Sequence, residues 1–334
     1  MTTPAPSPKN GTKRKIIIDT DPGVDDALAI QFALSAAPLE VIGLTTVFGN
    51  VSVELATANA LRLLHRAGRG EIPVARGAAN PLRGPFDGGV PFVHGDDGLG
   101  NTFAPASGLT PFLPPAAAFL VEQLLAHPGE ITLVAVGPLT NLAEALTLEP
   151  GIVHLVREVV IMGGNAVCPG NATPAAEANV LSDPDAADLV LGAGWPLTMV
   201  GLDVTHGVNM RRDHLQQLAG LSGPLSRYVS AALPFYRDFF ERVNGTDGFY
   251  VHDASAIAYL LAPHLFGTEA WPVRVDASHG IGRGKTWPSP GTSDQEGAAA
   301  LLPWQDRPRI NVCLRVDGPA VVNLILDTLR KSNL

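Results

Sequence analysis

The chain has 334 residues, 46% hydrophobic and 16% charged, which is enough apolar material for a large core. A net charge of −9 repels polyanions and argues against polymeric nucleic acid as a partner. Its two cysteines, Cys168 and Cys313, belong to no CxxC pair, which excludes a zinc ribbon or disulfide framework; both read as small buried hydrophobes.

The opening MTTPAPSPKN has no apolar run, so residues 1–13 read as a disordered tail rather than a signal peptide, and 14–334 as one folded domain. No stretch has the length and apolarity of a membrane span, so no membrane partner is expected and the cytoplasm is the expected location. Lys15–Asp19 is a short β-branched strand, and Val24–Ala37 follows with helical spacing. Then come a strand at Val41–Val47, a helix at Val53–Gly68 and a strand at Ile72–Ala75. Asn80–Pro115 is rich in Gly and Pro and lacks periodicity; an unstructured stretch that long inside a compact domain is usually functional. The alternation resumes with helix Ala116–Ala126, strand Ile131–Val136, helix Leu139–Leu146, strand Glu158–Gly163, helix Pro184–Gly192 and strand Leu197–Leu202. Helices are predicted at Leu225–Arg242 and His252–Leu261, and late strands at Pro272–Val275 and Ile310–Val316. Strands alternating with helices predict an α/β fold: an open, mostly parallel sheet with helices on both faces, in a single domain.

In such a sheet, ligands bind beyond the carboxyl ends of the strands. The first strand runs into DTDPGVDD, which places Asp19, Asp21, Asp25 and Asp26 within eight residues. A helix N-terminus favours a carboxylate by only about 0.3–1 kcal/mol. Four so close need raised pKa values or a cation, and oxygen donors without His or Cys point to calcium or magnesium. Solvated acids at a capped helix are the plainer alternative, disfavoured because the cluster directly follows a buried-type strand. Elsewhere, GRGKT (Gly282–Thr286) lacks the first glycine and the strand–loop–helix setting of a phosphate loop. His94, taken alone, reads as a solvent-exposed loop histidine, and His252-Asp253 as a helix start.

The sequence DTDPGVDDA (Asp19–Ala27) resembles the signature of the inosine–uridine preferring nucleoside hydrolases. The resemblance continues through TTVFGN ending at Asn50, HG at His94, VGPLTN at Val136, EVVIMGG around Met162, GNATPAAEANVLSDPDAA (Gly170–Ala187), MVGLDVTH (Met199–His206) and VHD ending at Asp253. It spans Lys15 to Leu329 with the motifs in family order. It implies a Rossmann-like single domain and a calcium-dependent hydrolase that splits ribonucleosides into ribose and free base, working as a homodimer or homotetramer. Asp21, Asp26 and Asp253, with the Val136 carbonyl, resemble the calcium ligands. Asp25 and Asn179 resemble the residues gripping the ribose 2′- and 3′-hydroxyls, and Asn171 and Glu177 those at the 5′-hydroxyl. Asn50 would hold the nucleophilic water or the ribose, and Met162 would pack against the sugar. Asp21 would act as general base, His252 as the acid for the leaving base, and His94 would sit in a flexible loop closing over that base. One departure is Ala178, in AEAN, where several members have phenylalanine near the base. A haloacid-dehalogenase-like phosphatase also begins with Asp-x-Asp, but Gly23 stands where that family expects Thr or Val. A catalytically silent ribose sensor on the same fold is the non-enzymatic alternative, and it has no need to keep Asp21, Asp26 and Asp253.

Overall fold

The computed structural model describes residues 13–290 and 303–334; apart from Lys13, the tail expected over 1–13 lies outside the described residues. In chain order the strands are β1 (Arg14–Thr20), β2 (Leu39–Thr46), β3 (Val74–Arg76), β4 (Ile131–Ala135), β5 (Glu158–Met162), β6 (Leu197–Val200), β7 (Asn209–Met210), β8 (Phe249–Tyr250), β9 (Phe266–Val275), β10 (Thr286–Pro288) and β11 (Arg309–Val316). Nine of them form one sheet in the order β10-β9-β11-β6-β5-β4-β1-β2-β3, while β7 and β8 pair as a small antiparallel ribbon. The seven strands from β11 to β3 are parallel neighbours; β9 and β10 add an antiparallel edge. The sheet is thus mostly parallel and covered on both faces, as the sequence implies.

Strand β1 explains why one sheet needs two helical layers. Ile16, Ile17 and Ile18 are all buried. Successive side chains point to opposite faces. Ile16 and Ile18 pack with the helices Val24–Ser35, Pro224–Asn244, Asp253–Leu261 and Gly318–Arg330, whereas Ile17 packs with Ala116–Ala126 and Thr140–Leu148. A strand buried on both faces has no polar alternation, which is why it reads as a continuous apolar run. The helix Gly318–Arg330 was not among the predicted elements; it packs against Val24–Ser35 and Asp253–Leu261. Cys313 is buried as expected, but Cys168 is only half-buried. Among the described residues no helix is long and apolar enough to cross a membrane.

The strand order fixes where a ligand can enter. From β1 the chain moves outward to β2 and β3, then returns to lay β4 on the other side of β1. The loops leaving β1 and β4 therefore diverge and open a crevice at their carboxyl ends. Asp21 follows β1 there, and Val136 follows β4. Because Ile17 sits fully buried beside this switch point, Ile17→Ala should destabilise the fold by about 2–5 kcal/mol in urea denaturation. A loss under about 1 kcal/mol would contradict the two-layered burial of β1.

Candidate active site

Asp21 leaves β1, and Asp25 and Asp26 occupy the first turn of the helix Val24–Ser35. The Asp26 carboxylate accepts hydrogen bonds from Gly23 N (2.9 Å), Thr20 Oγ1 (2.5 Å) and Asn50 Nδ2 (3.0 Å). Asp21 Oδ2 accepts from Asn50 N at 2.6 Å, while its buried Oδ1 has no hydrogen-bond partner. Two glycines allow backbone to crowd this carboxylate: a Cβ on Gly49 would stand 2.1 Å from Asp21 Oδ2, and one on Gly137 2.7 Å from Oδ1. Asp253 opens the helix Asp253–Leu261. Carboxylate oxygens of Asp25, Asp26 and Asp253 lie within 4.8 Å of one another. The grouping differs from the sequence reading, which set Asp21 among the metal ligands and Asp25 at the sugar: Asp25 joins the tight trio and Asp21 stands beside it.

These acids are buried, and none forms an ion pair with a lysine or arginine among the described residues. Burial, the largest cause, pushes Asp25 up to about 6 and Asp19 up to about 7. Asp21, Asp26 and Asp253 are raised by burial first and then by neighbouring carboxylates, Asp21 and Asp253 well above the usual range. A buried cluster of carboxyls must hold protons or a cation. The buried oxygens Asp21 Oδ1 and Asp25 Oδ1 have no hydrogen-bond partner, and the donor set is all oxygen. The residues therefore fit a hard metal ion, and the cluster could bind one. The Val136 carbonyl accepts from Asn179 Nδ2 at 2.9 Å and keeps a second lone pair. Asp19 lies beneath, its Oδ1 accepting from Thr45 Oγ1 (2.5 Å) and Asn141 Nδ2 (2.7 Å).

Asn179 Nδ2 also reaches the Met162 carbonyl at 3.1 Å, which ties the ends of β4 and β5 together. The buried Glu177 carboxylate accepts from the backbone N–H groups of Gly164 (2.9 Å), Asn179 (2.8 Å) and Val180 (3.0 Å), capping the short helix Ala178–Ser182. Asn171 is exposed, and its side chain accepts from Ala178 N at 3.1 Å. Ala178 is exposed as well.

His94 is not the exposed loop residue that its sequence context suggests. It is 4% exposed, and its Nδ1 accepts from Val24 N at 3.1 Å. Burial drives it down to about 4, so its 3.8 Å approach to Asp25 is no charge pair. The surrounding loop is tied down rather than loose: Asp97 accepts from the N–H groups of Leu99, Asn101 and Phe103, and Asn59 donates to the carbonyls of Pro22 and Asp97. His252 is buried, its Nδ1 2.8 Å from Thr205 Oγ1 and its Nε2 without a partner. Burial first, then the other histidines, lower it to about 3. Two residues of this region are given no role by the sequence reading, although Thr205 lies in its motif MVGLDVTH. Tyr236 stacks on His94 and donates its hydroxyl to Asp25 Oδ2 at 2.9 Å, across 211 residues of chain. Thr205 is the other.

The class defined by the fold and site is a parallel α/β protein with a buried carboxylate cluster at its switch point that could bind a metal ion. The comparisons give the particular class: the chain belongs to the inosine-uridine preferring nucleoside hydrolase family, whose model matches residues 16–323. It is thus an enzyme of N-glycosidic bond hydrolysis. "Probable uridine nucleosidase 2" of Arabidopsis thaliana is 45% identical over 324 residues, covering 96% of this chain and 99% of that protein. Among solved structures, the plant nucleoside hydrolase PpNRh1 superposes with a TM-score of 0.91 at 38% identity, covering 95% of this chain and 99% of that one. The purine-preferring ribonucleoside hydrolase of Gardnerella vaginalis superposes at 0.86 with 31% identity, covering 95% and 98%.

The raised carboxyl pKa values have a thermodynamic consequence. Between the ordinary value of 3.8 and the raised values of about 6 and 7, the folded metal-free chain holds protons that the unfolded chain has released. Stability of the chelated protein therefore falls as pH rises through this window. Thermal midpoints in chelator should be higher at about pH 5 than at about pH 8, and saturating calcium should narrow the difference. A midpoint that rises steadily over that range in chelator would show that the cluster is not desolvated in this way.

Proposed function

We propose that this enzyme hydrolyses ribonucleosides with calcium held by Asp21, Asp26, Asp253 and the Val136 carbonyl, and that Asp21 is the general base. The observation that carries the reading is the state of Asp21: one oxygen is fixed by Asn50 N, and the other is buried and unpartnered within a carboxylate cluster that lacks a cationic side chain. A calcium ion there would supply the charge that acidifies a water and orients the two ribose hydroxyls.

The chain's own groups do the rest. Asp21 Oδ1 takes the proton of the attacking water. Asn50 keeps Asp21 and Asp26 in place through its N–H and Nδ2, so its contribution is to hold the acids that meet the water and the sugar. Asp25 and Asn179 grip the 2′- and 3′-hydroxyls, while Glu177 and Asn171 receive the 5′-hydroxyl. Met162 packs along the sugar. As the C–N bond lengthens, the ring gains positive charge, and the surrounding carboxylates stabilise it. Water attacks the anomeric carbon from the face opposite the base. His252, the candidate acid, has a buried Nε2 with no partner among the described residues; its N–H there meets the departing base and stabilises the negative charge the base gains, with His94 as the other imidazole near the base end.

The relative named a uridine nucleosidase makes uridine the first substrate to assign. A small, exposed Ala178 leaves space beside the base, which favours no ring size by itself. The homodimer or homotetramer implied by the family resemblance belongs to the same proposal.

The test is direct. Purified protein should release ribose and uracil from uridine, lose turnover on prolonged chelation and regain it with calcium. Asp21→Asn should lower kcat by at least about 10²–10⁴-fold, the usual contribution of a positioned base. Full activity in chain shown by elemental analysis to be metal-free would remove calcium from the scheme. An Asp21→Asn variant that binds calcium and keeps most of its kcat would remove Asp21 as base.

A further inference from the structure

The imidazole of His252 can work as an acid only if the ring nitrogen facing the base carries the proton. Neutral histidine holds its one N–H on either Nδ1 or Nε2, and the partner of the other nitrogen decides which. Here that partner is Thr205, on the four-residue helix Leu202–Thr205 that follows β6. Its Oγ1 lies 2.8 Å from His252 Nδ1, and both side chains are buried. Aromatic rings enclose the imidazole: His206 at 5.8 Å, Phe240 at 6.0 Å and Tyr250 at 6.1 Å between centroids.

The direction of this hydrogen bond follows from what else is in reach. The Thr205 hydroxyl makes no other side-chain hydrogen bond among the described residues. If Nδ1 carried the proton and donated, the hydroxyl hydrogen would be left buried without an acceptor, which costs about 1–3 kcal/mol. If the hydroxyl donates instead, both groups are satisfied and the proton of the neutral ring sits on Nε2. That nitrogen is buried and has no partner among the described residues, as a donor kept for a ligand would be.

We infer that Thr205 is the positioning residue that fixes His252 in its Nε2–H tautomer and aims that N–H at the leaving base. This rests on the reading of His252 as the group that meets the leaving base with its N–H. On that reading, as the C–N bond breaks and its electron pair moves to the base, the Nε2–H donates a hydrogen bond to the base atom that gains negative charge, and the base takes its proton from solvent. The ring stays neutral, and the Thr205 hydroxyl stays bound at Nδ1 throughout.

Two measurements test this. The first uses the unaltered protein, with histidine ring nitrogens labelled by ¹⁵N. His252 should show an Nδ1 of the unprotonated type and a protonated Nε2; the reverse pattern would overturn the inference without any variant. The second compares kcat on uridine and on p-nitrophenyl riboside, whose phenolate leaves without a proton. Thr205→Val keeps the side-chain volume and removes the hydroxyl. It should lose about 10-fold or more on uridine, the scale of one hydrogen bond to a charged group, and stay near the unaltered rate on the nitrophenyl riboside. Thr205→Ser, which restores a hydroxyl, should recover the uridine rate. Equal losses on both substrates, or no loss on uridine, would reduce Thr205 to a packing residue and overturn the inference. His252→Ala in the same assay separates the two levels. Selective loss on uridine supports the leaving-base reading of His252 whatever Thr205 does, whereas equal loss on both substrates removes that reading and the inference with it.

Discussion

Buried carboxylates without a cationic side chain to balance them are the constraint around which this molecule is built. Asp21, Asp25, Asp26 and Asp253 come from two distant parts of the chain and meet in a volume from which water has been largely excluded. An isolated buried charge costs several kcal/mol or more, so such a group survives only with compensation. The protein supplies part of it through neutral dipoles: backbone N–H groups of Gly23 and Asn50, the Thr20 hydroxyl and the Asn50 amide. It leaves the remainder open, on Asp21 Oδ1 and Asp25 Oδ1. That division explains the local design. The donors fix the carboxylates in direction without neutralising them, and the unsatisfied oxygens turn inward. Gly49 and Gly137 keep side chains away from Asp21, so that backbone rather than bulk defines its surroundings.

The same constraint sets what the fold has to do. A parallel sheet with a switch point between β1 and β4 opens a crevice where the loops leaving those strands diverge, and leaves room there for a third group. The helix Asp253–Leu261 provides that group, and it packs on the helix carrying Asp25 and Asp26. The two acidic helix starts are therefore held at a fixed separation by a hydrophobic contact, not by the charges themselves. The apolar cluster formed by Ile16, Ile18, Leu28 and Ile257 acts as the rigid part against which repelling groups are pressed. Stability lost at the acids is offset by a core buried on both faces of the sheet.

Much of this was legible in the sequence, for reasons that can be stated residue by residue. The strands β1, β4 and β5 are short runs buried on both faces, and such runs show as uninterrupted apolar letters. The acid cluster was legible because four of its members or neighbours lie within eight residues, and proximity in sequence there is proximity in space. The family motifs extended that view to Asp253, Asn179 and Glu177. What stayed hidden depends on contacts across long stretches of chain. His94 looks exposed because its loop is rich in glycine, yet Asp97 and Asn59 tie that loop down and Val24 N claims the imidazole. Tyr236 reads as one more aromatic on the apolar face of a long helix; only the folded chain turns its hydroxyl to Asp25. The tight trio of Asp25, Asp26 and Asp253 likewise depends on how two helices pack, which spacing within one motif cannot specify. Strands β7, β8 and β10 have two or three residues each, too few to establish a period.

The charge distribution across the site has a chemical meaning. Carboxylates held by neutral donors stand beside His94 and His252, both pushed by burial toward the neutral form. A permanently charged imidazolium near the acids would form an ion pair with them and cancel the negative potential they create. Neutral imidazoles avoid this. They can hold or pass a proton through hydrogen bonds while the carboxylates keep their field for a group that becomes positive during reaction. A sugar ring losing its bond to a base becomes positive at the anomeric carbon, and the base it releases becomes negative. On the proposed reading, carboxylates beside uncharged N–H donors are complementary to that separation of charge rather than to the neutral nucleoside that enters. Only interactions that strengthen between ground state and transition state accelerate the chemistry. On that ground the unpartnered Asp21 Oδ1 and His252 Nε2 are the two informative atoms of the site. Each is buried and unsatisfied in the resting protein, and each would find its partner as the bond between sugar and base breaks.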